Sequence, residues 1–108
     1  MYQVNITEPA EQDIRKAANY IAKELQNCTA AERLLNDVDE AVCSLEEMPH
    51  RFALVDDEVL ALAGIRVMPV HNYLVFYVVR EESKIVMIER FLYGRRDWVA
   101  ILKGGIEE

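Results

Sequence analysis

Cysteine and histidine are scarce in this sequence, with two of each among its 108 residues. Neither Cys28 nor Cys43 belongs to a Cys-x-x-Cys pair, and His50 and His71 are far from both along the chain. Structural zinc sites need thiolate and imidazole ligands at short, regular spacings. The sequence therefore predicts no metal site, and it contains no motif that indicates a cofactor.

Long apolar stretches are also missing. The longest, Tyr73–Val79, has seven residues, whereas a helix that spans a bilayer needs about 20. The N-terminus has no basic segment followed by an apolar core, so no signal peptide is predicted. We therefore expect a cytoplasmic protein without membrane association, in a compartment where a disulfide between the two cysteines would not persist.

Composition and length suit one folded domain over residues 1–108, because 52% of the residues are hydrophobic and 29% are charged. The net charge of −7 argues against general nucleic-acid binding. Residues 1–51 hold ten acidic and five basic residues, a net charge of −5. Residues 64–98 hold six basic and four acidic residues, a net charge of +2. The C-terminal half is thus predicted to present a local basic surface on an acidic protein.

The first half of the chain has the periodicity of one strand and two helices. Residues 2–7 alternate between apolar and polar, which is typical of a half-buried strand. Apolar residues then recur at intervals of three and four, which predicts amphipathic helices over about 8–26 and 30–47. Thr29 and Glu32 have the spacing of a capping box at the start of the second helix.

The second half is predicted to contain three strands. Residues 51–63 give a weak signal and are interpreted as a loop or an irregular edge strand. A strand follows over 65–70, and its Pro69 indicates an edge or a bulge. Residues 73–80 are nearly all apolar, as in a central strand covered on both faces. Residues 84–93 form the third strand.

The chain is expected to finish with a short helix over 98–103, capped by Asp97 and closed by Gly104. The full order is an N-terminal strand, a helical hairpin, a three-stranded antiparallel meander and a short C-terminal helix. Helices grouped before an antiparallel sheet predict an α+β fold, with the hairpin packed on one face of the sheet.

Six short segments carry a resemblance to a known family. In chain order they are TEPAEQD (7–13), LEEMP (45–49), GIR (64–66), NYLVFY (72–77), IVMIER (85–90) and LYGRRD (92–97). In this order and spacing the chain resembles the RelE/ParE toxin superfamily over nearly its whole length. The resemblance implies a growth-inhibiting toxin of a type II toxin–antitoxin system, of the plasmid stabilisation type, held inactive by a cognate antitoxin.

The family divides by target. RelE-like members cut mRNA in the ribosomal A site, whereas ParE-like members poison DNA gyrase. For the RelE-like activity, the resemblance implies Arg66, Arg90 and Tyr93 as catalytic residues. Tyr93 stands where many relatives have histidine, and a tyrosine with a pKa near 10 is a poor base at neutral pH. This departure and the acidic residues 56–58 favour the ParE-like activity.

Each of these three residues also has a purely structural interpretation. Arg66 is equally well explained by a salt bridge to Glu89 or to an acid at 56–58. By alternation, Arg90 shares a face with Val86, Ile88 and Leu92. It then either joins Arg66 in an open cleft, the arrangement we favour, or is paired on the core side. Tyr93 is otherwise a half-buried strand tyrosine.

A second set of residues is predicted to bind the target or the antitoxin. It contains Arg95, Arg96 and Trp98 after the last strand, with Tyr73 and Tyr77 on one face of the middle strand. The tyrosines are suited to stacking on bases, to core packing or to an antitoxin contact.

The expected partners are an antitoxin and either gyrase or the ribosome with its mRNA. The antitoxin is expected to cover apolar surface beside the sheet or the hairpin. A homodimer and a toxin–antitoxin hetero-oligomer are both compatible with the sequence. So is a non-toxic decoy or co-repressor that only binds antitoxin.

Overall fold

The fold consists of a four-stranded sheet with helices on both faces. The computed structural model describes the backbone of residues 1–106 and the side chains through residue 104. The elements are β1 (Gln3–Ile6), α1 (Glu8–Asn19), a π-helical turn (Tyr20–Glu24), α2 (Cys28–Ser44), α3 (Glu58–Leu62), β2 (Arg66–Val70), β3 (Tyr73–Arg80), β4 (Ile85–Tyr93) and α4 (Trp98–Ile106). This order confirms the predicted α+β class.

The sheet has the strand order β1-β4-β3-β2. The pairs β2–β3 and β3–β4 are antiparallel, which confirms the meander. β1 completes the sheet by pairing with β4 in parallel, with Val4 opposite Val86. β2 lies at the edge of the sheet, where the missing N–H of Pro69 does not interrupt a ladder on both sides.

The helical hairpin covers one face of the sheet. Small residues such as Ala10 and Ala17 let α1 approach closely, and α2 contributes a stripe that includes Leu34 and Val38. These helix residues pack on alternate residues of the strands. Together, the helix and strand residues form the first core cluster. Its members in the sheet are Met68, Val70, Val75, Tyr77, Val86, Ile88 and Phe91. The predicted position of the hairpin is therefore confirmed.

The opposite face carries a second core cluster under α3 and α4. It consists of Val55, Leu60, Ile65, Phe76, Leu92 and Leu102, with partly buried neighbours such as Trp98. β3 is thus covered on both sides, which explains its nearly continuous apolar sequence. No helix within residues 1–106 is long and apolar enough to cross a membrane.

The short helix α3 corrects the prediction for residues 51–63. One isolated antiparallel bridge, between Leu54 and Arg66, is the part of this segment that resembles an irregular edge strand. The remainder is helical from Glu58 to Leu62, and the side chain of Asp57 caps it by accepting the Leu60 N–H at 3.1 Å. Five residues are too few to produce a helical period, which is why the signal over residues 51–63 is weak.

The helix ends also differ from their predicted positions. α1 stops at Asn19 and continues as the π-helical turn. The N-cap of α2 is Asn27, whose side chain accepts the Ala30 N–H at 3.0 Å, so the predicted box at Thr29 is not the start of the helix. At the C-terminus Asp97 accepts the Ala100 N–H at 3.3 Å as predicted. α4 nevertheless runs past Gly104 to Ile106.

A β-bulge in β4 changes which side chains face the helical hairpin. Phe76 pairs with Arg90, but the next residue, Tyr77, pairs with Ile88, so Glu89 is an extra residue in β4. Beyond the bulge the alternation is shifted, and Leu92 belongs to the second core cluster. The prediction that Arg90 and Leu92 share a face with Ile88 is therefore wrong.

Candidate functional site

Arg66 and Arg90 do not meet in one cleft. The register places Arg66 opposite Tyr77 and Arg90 opposite Phe76, and these two residues of β3 belong to different core clusters. Successive strand residues point to opposite faces of a sheet. The favoured prediction, that the two arginines line a common cleft, is therefore wrong.

Arg66 is held by the backbone of the loop before α3. Its Nη1 donates to the carbonyl oxygen of Phe52 at 2.7 Å. The predicted salt bridges to Glu89 or to residues 56–58 are not among the ion pairs of the described residues. One guanidinium edge is thus used to fasten the 50–55 segment to β2.

Arg90 is bound by a carboxylate that sequence reasoning missed. Its Nε donates to Asp13 Oδ2 at 2.6 Å, and its Nη2 donates to Asp13 Oδ1 at 2.9 Å. Asp13 Oδ2 also accepts the N–H of Phe91 at 3.1 Å. The carboxylate raises the pKa of Arg90 above its usual value. Asp13 occupies the Nε–Nη2 edge of the guanidinium and compensates its charge, so Arg90 joins α1 to β4.

The only sequence signal for Asp13 was its position in the TEPAEQD segment, beside the apolar stripe of α1. A carboxylate next to buried residues needs a partner. Periodicity could not identify that partner 77 positions away.

Tyr93 is part of an aromatic cluster at the end of β4. Its ring meets Tyr73 edge to face, with 5.6 Å between centroids, and Tyr73 stacks on Phe91 at 4.8 Å. Burial is the main cause that raises the pKa of Tyr73, followed by the neighbouring hydroxyls of Tyr93 and Tyr20. Tyr93 itself is 40% exposed, which agrees with a half-buried strand tyrosine.

Tyr77 shares the face of Tyr73, as predicted, but it is completely buried. Its hydroxyl donates to the carbonyl oxygen of Pro49 at 2.7 Å, and burial raises its pKa. A side chain in this position cannot stack on a base or contact an antitoxin while the fold is intact. The structure therefore argues for the core-packing interpretation of Tyr77.

The segment after β4 separates the other predicted binding residues. Arg95 and Arg96 are exposed, and neither forms an ion pair with an acidic side chain of the described residues. Asp97, the predicted partner for one of them, caps α4 instead. Trp98 is half-buried, and its ring packs on Phe76 with centroids 5.1 Å apart. Trp98 thus anchors α4 to the sheet, while the two arginines remain available.

A groove of about 640 Å³ lies on the face opposite the hairpin, between α4 and the β-bulge. Val78 and Ile101 contribute apolar walls, and Arg80, Glu89 and Arg90 contribute charge. Burial raises the pKa of Glu89, while Arg80 acts in the opposite direction. In the sequence, Glu89 and Arg90 are the charged residues that interrupt the apolar sequence of β4. Within residues 1–106, no three His, Cys, Asp or Glu side chains are grouped to hold a metal ion.

Comparison with known proteins agrees with this fold. The family model described as "ParE toxin of type II toxin-antitoxin system, parDE" matches residues 4–98. A search of curated protein sequences gives no significant match.

Three solved structures have similar folds at low sequence identity. A chain of the chromosomal ParDE system from P. aeruginosa has a TM-score of 0.70 and 20% identity, covering 86% of this chain and 96% of that one. A chain of the RelBE2 toxin–antitoxin complex from Mycobacterium tuberculosis has a TM-score of 0.64 and 22% identity, covering 85% and 96%. The isolated E. coli RelE toxin has a TM-score of 0.57 and 14% identity, covering 100% of both chains.

These structures come from ParDE and RelBE systems and show the fold alone. They do not distinguish a ParE-like from a RelE-like activity. The family model is more specific, because it matches most of the chain. The chain belongs to the ParE toxin family of type II toxin–antitoxin systems.

Proposed function

We propose that this toxin inhibits growth by binding a protein target in the cytoplasm, DNA gyrase, and that a cognate antitoxin neutralises it. The observation that carries the choice of target is the separation of the residues required for RNA cleavage. Arg66 and Arg90 project from opposite faces of the sheet and are bound by Phe52 and Asp13.

Metal-free RNA cleavage needs an acid, a base and cations at one phosphate. Tyr93 lies among aromatic rings at the end of β4, and its hydroxyl forms no hydrogen bond to a described side chain. The loss of one general acid or base typically lowers a rate by about a hundredfold to ten-thousandfold. This arrangement favours a toxin that acts by contact with a protein.

An antitoxin partner is supported by the solved neighbours, which include chains from ParDE and RelBE systems. The hairpin offers apolar side chains for such a contact, since Leu25 is 57% exposed and Leu35 is 42% exposed. An amphipathic antitoxin segment bound to this side would bury them.

Induced expression without antitoxin tests the target. We expect growth arrest with an SOS response and cleaved DNA, while translation continues. Tyr93→Phe removes only the hydroxyl and should leave the arrest intact. Codon-specific mRNA cuts that disappear in Tyr93→Phe would reverse the assignment in favour of the ribosome-dependent nuclease.

One observation favours the nuclease as the second candidate. Glu89 is half-buried in the groove, its pKa is raised, and Arg80 and Arg90 line the same groove. A carboxylic acid with a raised pKa beside a cation is suited to proton transfer near a phosphate. Glu89→Gln would abolish mRNA cleavage if this groove were the active site, and it should not alter arrest through gyrase. No arrest by the wild type would instead indicate an antitoxin-binding decoy.

A further inference from the structure

Three tyrosines from distant parts of the sequence lie together where β3 begins and β4 ends. Tyr73 and Tyr93 are direct cross-strand partners with their rings edge to face. Tyr20 follows the last residue of α1, the helix that packs along β4. The next residue, Ile21, packs with Tyr73 against the first core cluster, which places Tyr20 on the same side of the sheet as Tyr73. We refer to Tyr20, Tyr73 and Tyr93 as the tyrosine surface.

The backbone at Tyr20 is unusual. Tyr20 begins the π-helical turn, in which the N–H of Leu25 donates to the carbonyl oxygen of Tyr20 at 3.2 Å, five residues back. Single π-helical turns are rare and occur frequently at functional sites. Tyr20 is 55% exposed and Tyr93 is 40% exposed. The tyrosine surface therefore presents two large aromatic side chains to solvent.

Positive charge lies next to these rings. Arg95 and Arg96 follow Tyr93 after one glycine, and the N–H of that glycine donates to the Asn72 carbonyl oxygen of the β2–β3 turn at 2.9 Å. Asp37 Oδ2 lies 2.6 Å from His71 Nε2 on the β2–β3 turn, and Asp97 caps α4. The local arginines thus remain without an acidic partner among the described residues, in a protein whose net charge is −7.

We propose that the tyrosine surface, together with Arg95 and Arg96, docks an acidic segment of the toxin's protein target. Carboxylates of that segment bind the two guanidinium groups, and an apolar side chain packs against Tyr20 and Tyr93. Arginine forms short, paired hydrogen bonds with carboxylates. Tyrosine and arginine are also the residue types that contribute most to protein interfaces. This inference rests on the proposed function and assigns it a contact surface.

The electrostatics favour an acidic peptide segment over a nucleic acid. Tyr20 belongs to the half of the chain with a net charge of −5 over residues 1–51. A long polyanion extends well beyond two local cations and is therefore exposed to the net charge of −7 of the whole chain, which repels it. A short acidic segment requires only the local cations.

Three exposed-site variants test the proposal: Tyr20→Ser, Arg95→Glu and Arg96→Glu. Lys84→Glu is the charge-reversal control, at an exposed residue directly before β4 and thus at the strand end far from Arg95 and Arg96. Leu62→Ser is a control at a residue that is 84% exposed. Growth arrest on expression and binding to purified gyrase are measured for each. Circular dichroism establishes that every variant is folded.

We expect at least a tenfold loss of arrest and of gyrase affinity in the three variants and no change in the controls. Arg95→Lys should retain more affinity than Arg95→Glu, and the differences should shrink at high salt. Arrest that persists in all three folded variants would overturn the docking surface. Binding of a 20-nucleotide oligouridylate by the wild type that disappears in the same variants would reassign it to RNA and also overturn the proposal.

The two proposals fail in different ways. If the wild type arrests growth without binding gyrase, the target assignment is wrong, and the surface is judged by arrest alone. Arrest lost in the three variants but retained in both controls would then support docking of a protein, provided that the wild type does not bind the oligouridylate. Arrest retained in the variants would refute it whatever the target.

Discussion

Arg90 and the pair Arg95 and Arg96 lie within one short stretch of the chain but have different surroundings. At the junction of α1 and β4, Arg90 forms two hydrogen bonds with Asp13 and is largely withdrawn from solvent. In the loop after β4, Arg95 and Arg96 are exposed and have no acidic partner among the described residues. Residue type alone suggested a functional role for all three. The position of the nearest carboxylate indicates that Arg90 stabilises the fold, whereas no acid of the described residues binds Arg95 or Arg96.

The tyrosines show the same contrast. Inside the core, the hydroxyl of Tyr77 donates a hydrogen bond to the carbonyl oxygen of Pro49, whereas Tyr93 lies at the surface. Both belong to neighbouring strands of one sheet. Burial therefore distinguishes side chains that stabilise the fold from exposed ones more clearly than the sequence pattern does. The free energy of unfolding of suitable variants tests this distinction.

The largest effect is expected for Asp13→Ala. The substitution removes two hydrogen bonds to Arg90 and one to the Phe91 N–H, and it leaves a half-buried guanidinium without its partner. We expect a loss of about 2–3 kcal/mol in the free energy of unfolding, measured by urea denaturation. Glu11→Ala, which removes an exposed i,i+4 pair on the same helix, should cost no more than about 0.5 kcal/mol. An equal loss of unfolding free energy in Asp13→Ala and Glu11→Ala would contradict the structural role of the Asp13–Arg90 pair.

Tyr77→Phe should have the next largest effect. The ring still fills its site, but the carbonyl of Pro49 loses a buried hydrogen bond. The expected cost is about 1 kcal/mol, with Tyr93→Phe as the matched exposed control near zero. A smaller cost for Tyr77→Phe than for Tyr93→Phe would show that burial does not decide the role of these tyrosines.

A smaller change of opposite sign is expected for Glu89→Gln. Burial raises the pKa of Glu89 in the folded protein above its ordinary value of 4.5, so ionisation above that value opposes folding. Stability contributed by the protonated acid is present below about pH 4.5 and is lost as pH rises through the folded pKa. The variant should therefore have a slightly higher Tm than the wild type at pH 7. The difference should vanish near pH 4, and a lower Tm at pH 7 would contradict this account.

The smallest effect on stability is expected for the double variant Arg95→Ala/Arg96→Ala. Neither side chain has an acidic partner among the described residues, so the free energy of unfolding should change by less than about 0.5 kcal/mol. Chemical denaturation checks this directly. A loss above 1 kcal/mol would place both arginines with Arg90 as structural residues.

Most of the architecture follows from patterns within each element. The spacing of apolar residues within each helix predicts which face is buried, and the apolar sequence of β3 predicts a strand covered on both sides. The structure confirms the two helices and the central strand. The capping role of Asp97 is also local, since the side chain bonds a backbone group three residues later.

The errors arise where a partner distant in sequence decides the outcome. The bulge at Glu89 is a property of the pairing between β4 and β3, and it alone reversed the predicted face of Arg90. Likewise, Tyr20 belongs to the tyrosine surface only because α1 runs along β4. Of the residues in the proposed surface, the sequence suggested Arg95, Arg96 and Tyr73 as binding residues. It suggested Tyr93 only as a catalytic residue, and it did not suggest Tyr20.

The parallel pairing of β1 with β4 has a consequence for the order in which the chain folds. Val4 pairs with Val86, so the first strand to be synthesised has no partner until more than 80 further residues have followed. The α1–α2 hairpin and the β2–β3–β4 meander can form from contacts close in sequence, but closing the sheet requires this one distant contact, which is entropically slow. A growing polypeptide can therefore complete the sheet only after β4 has been synthesised.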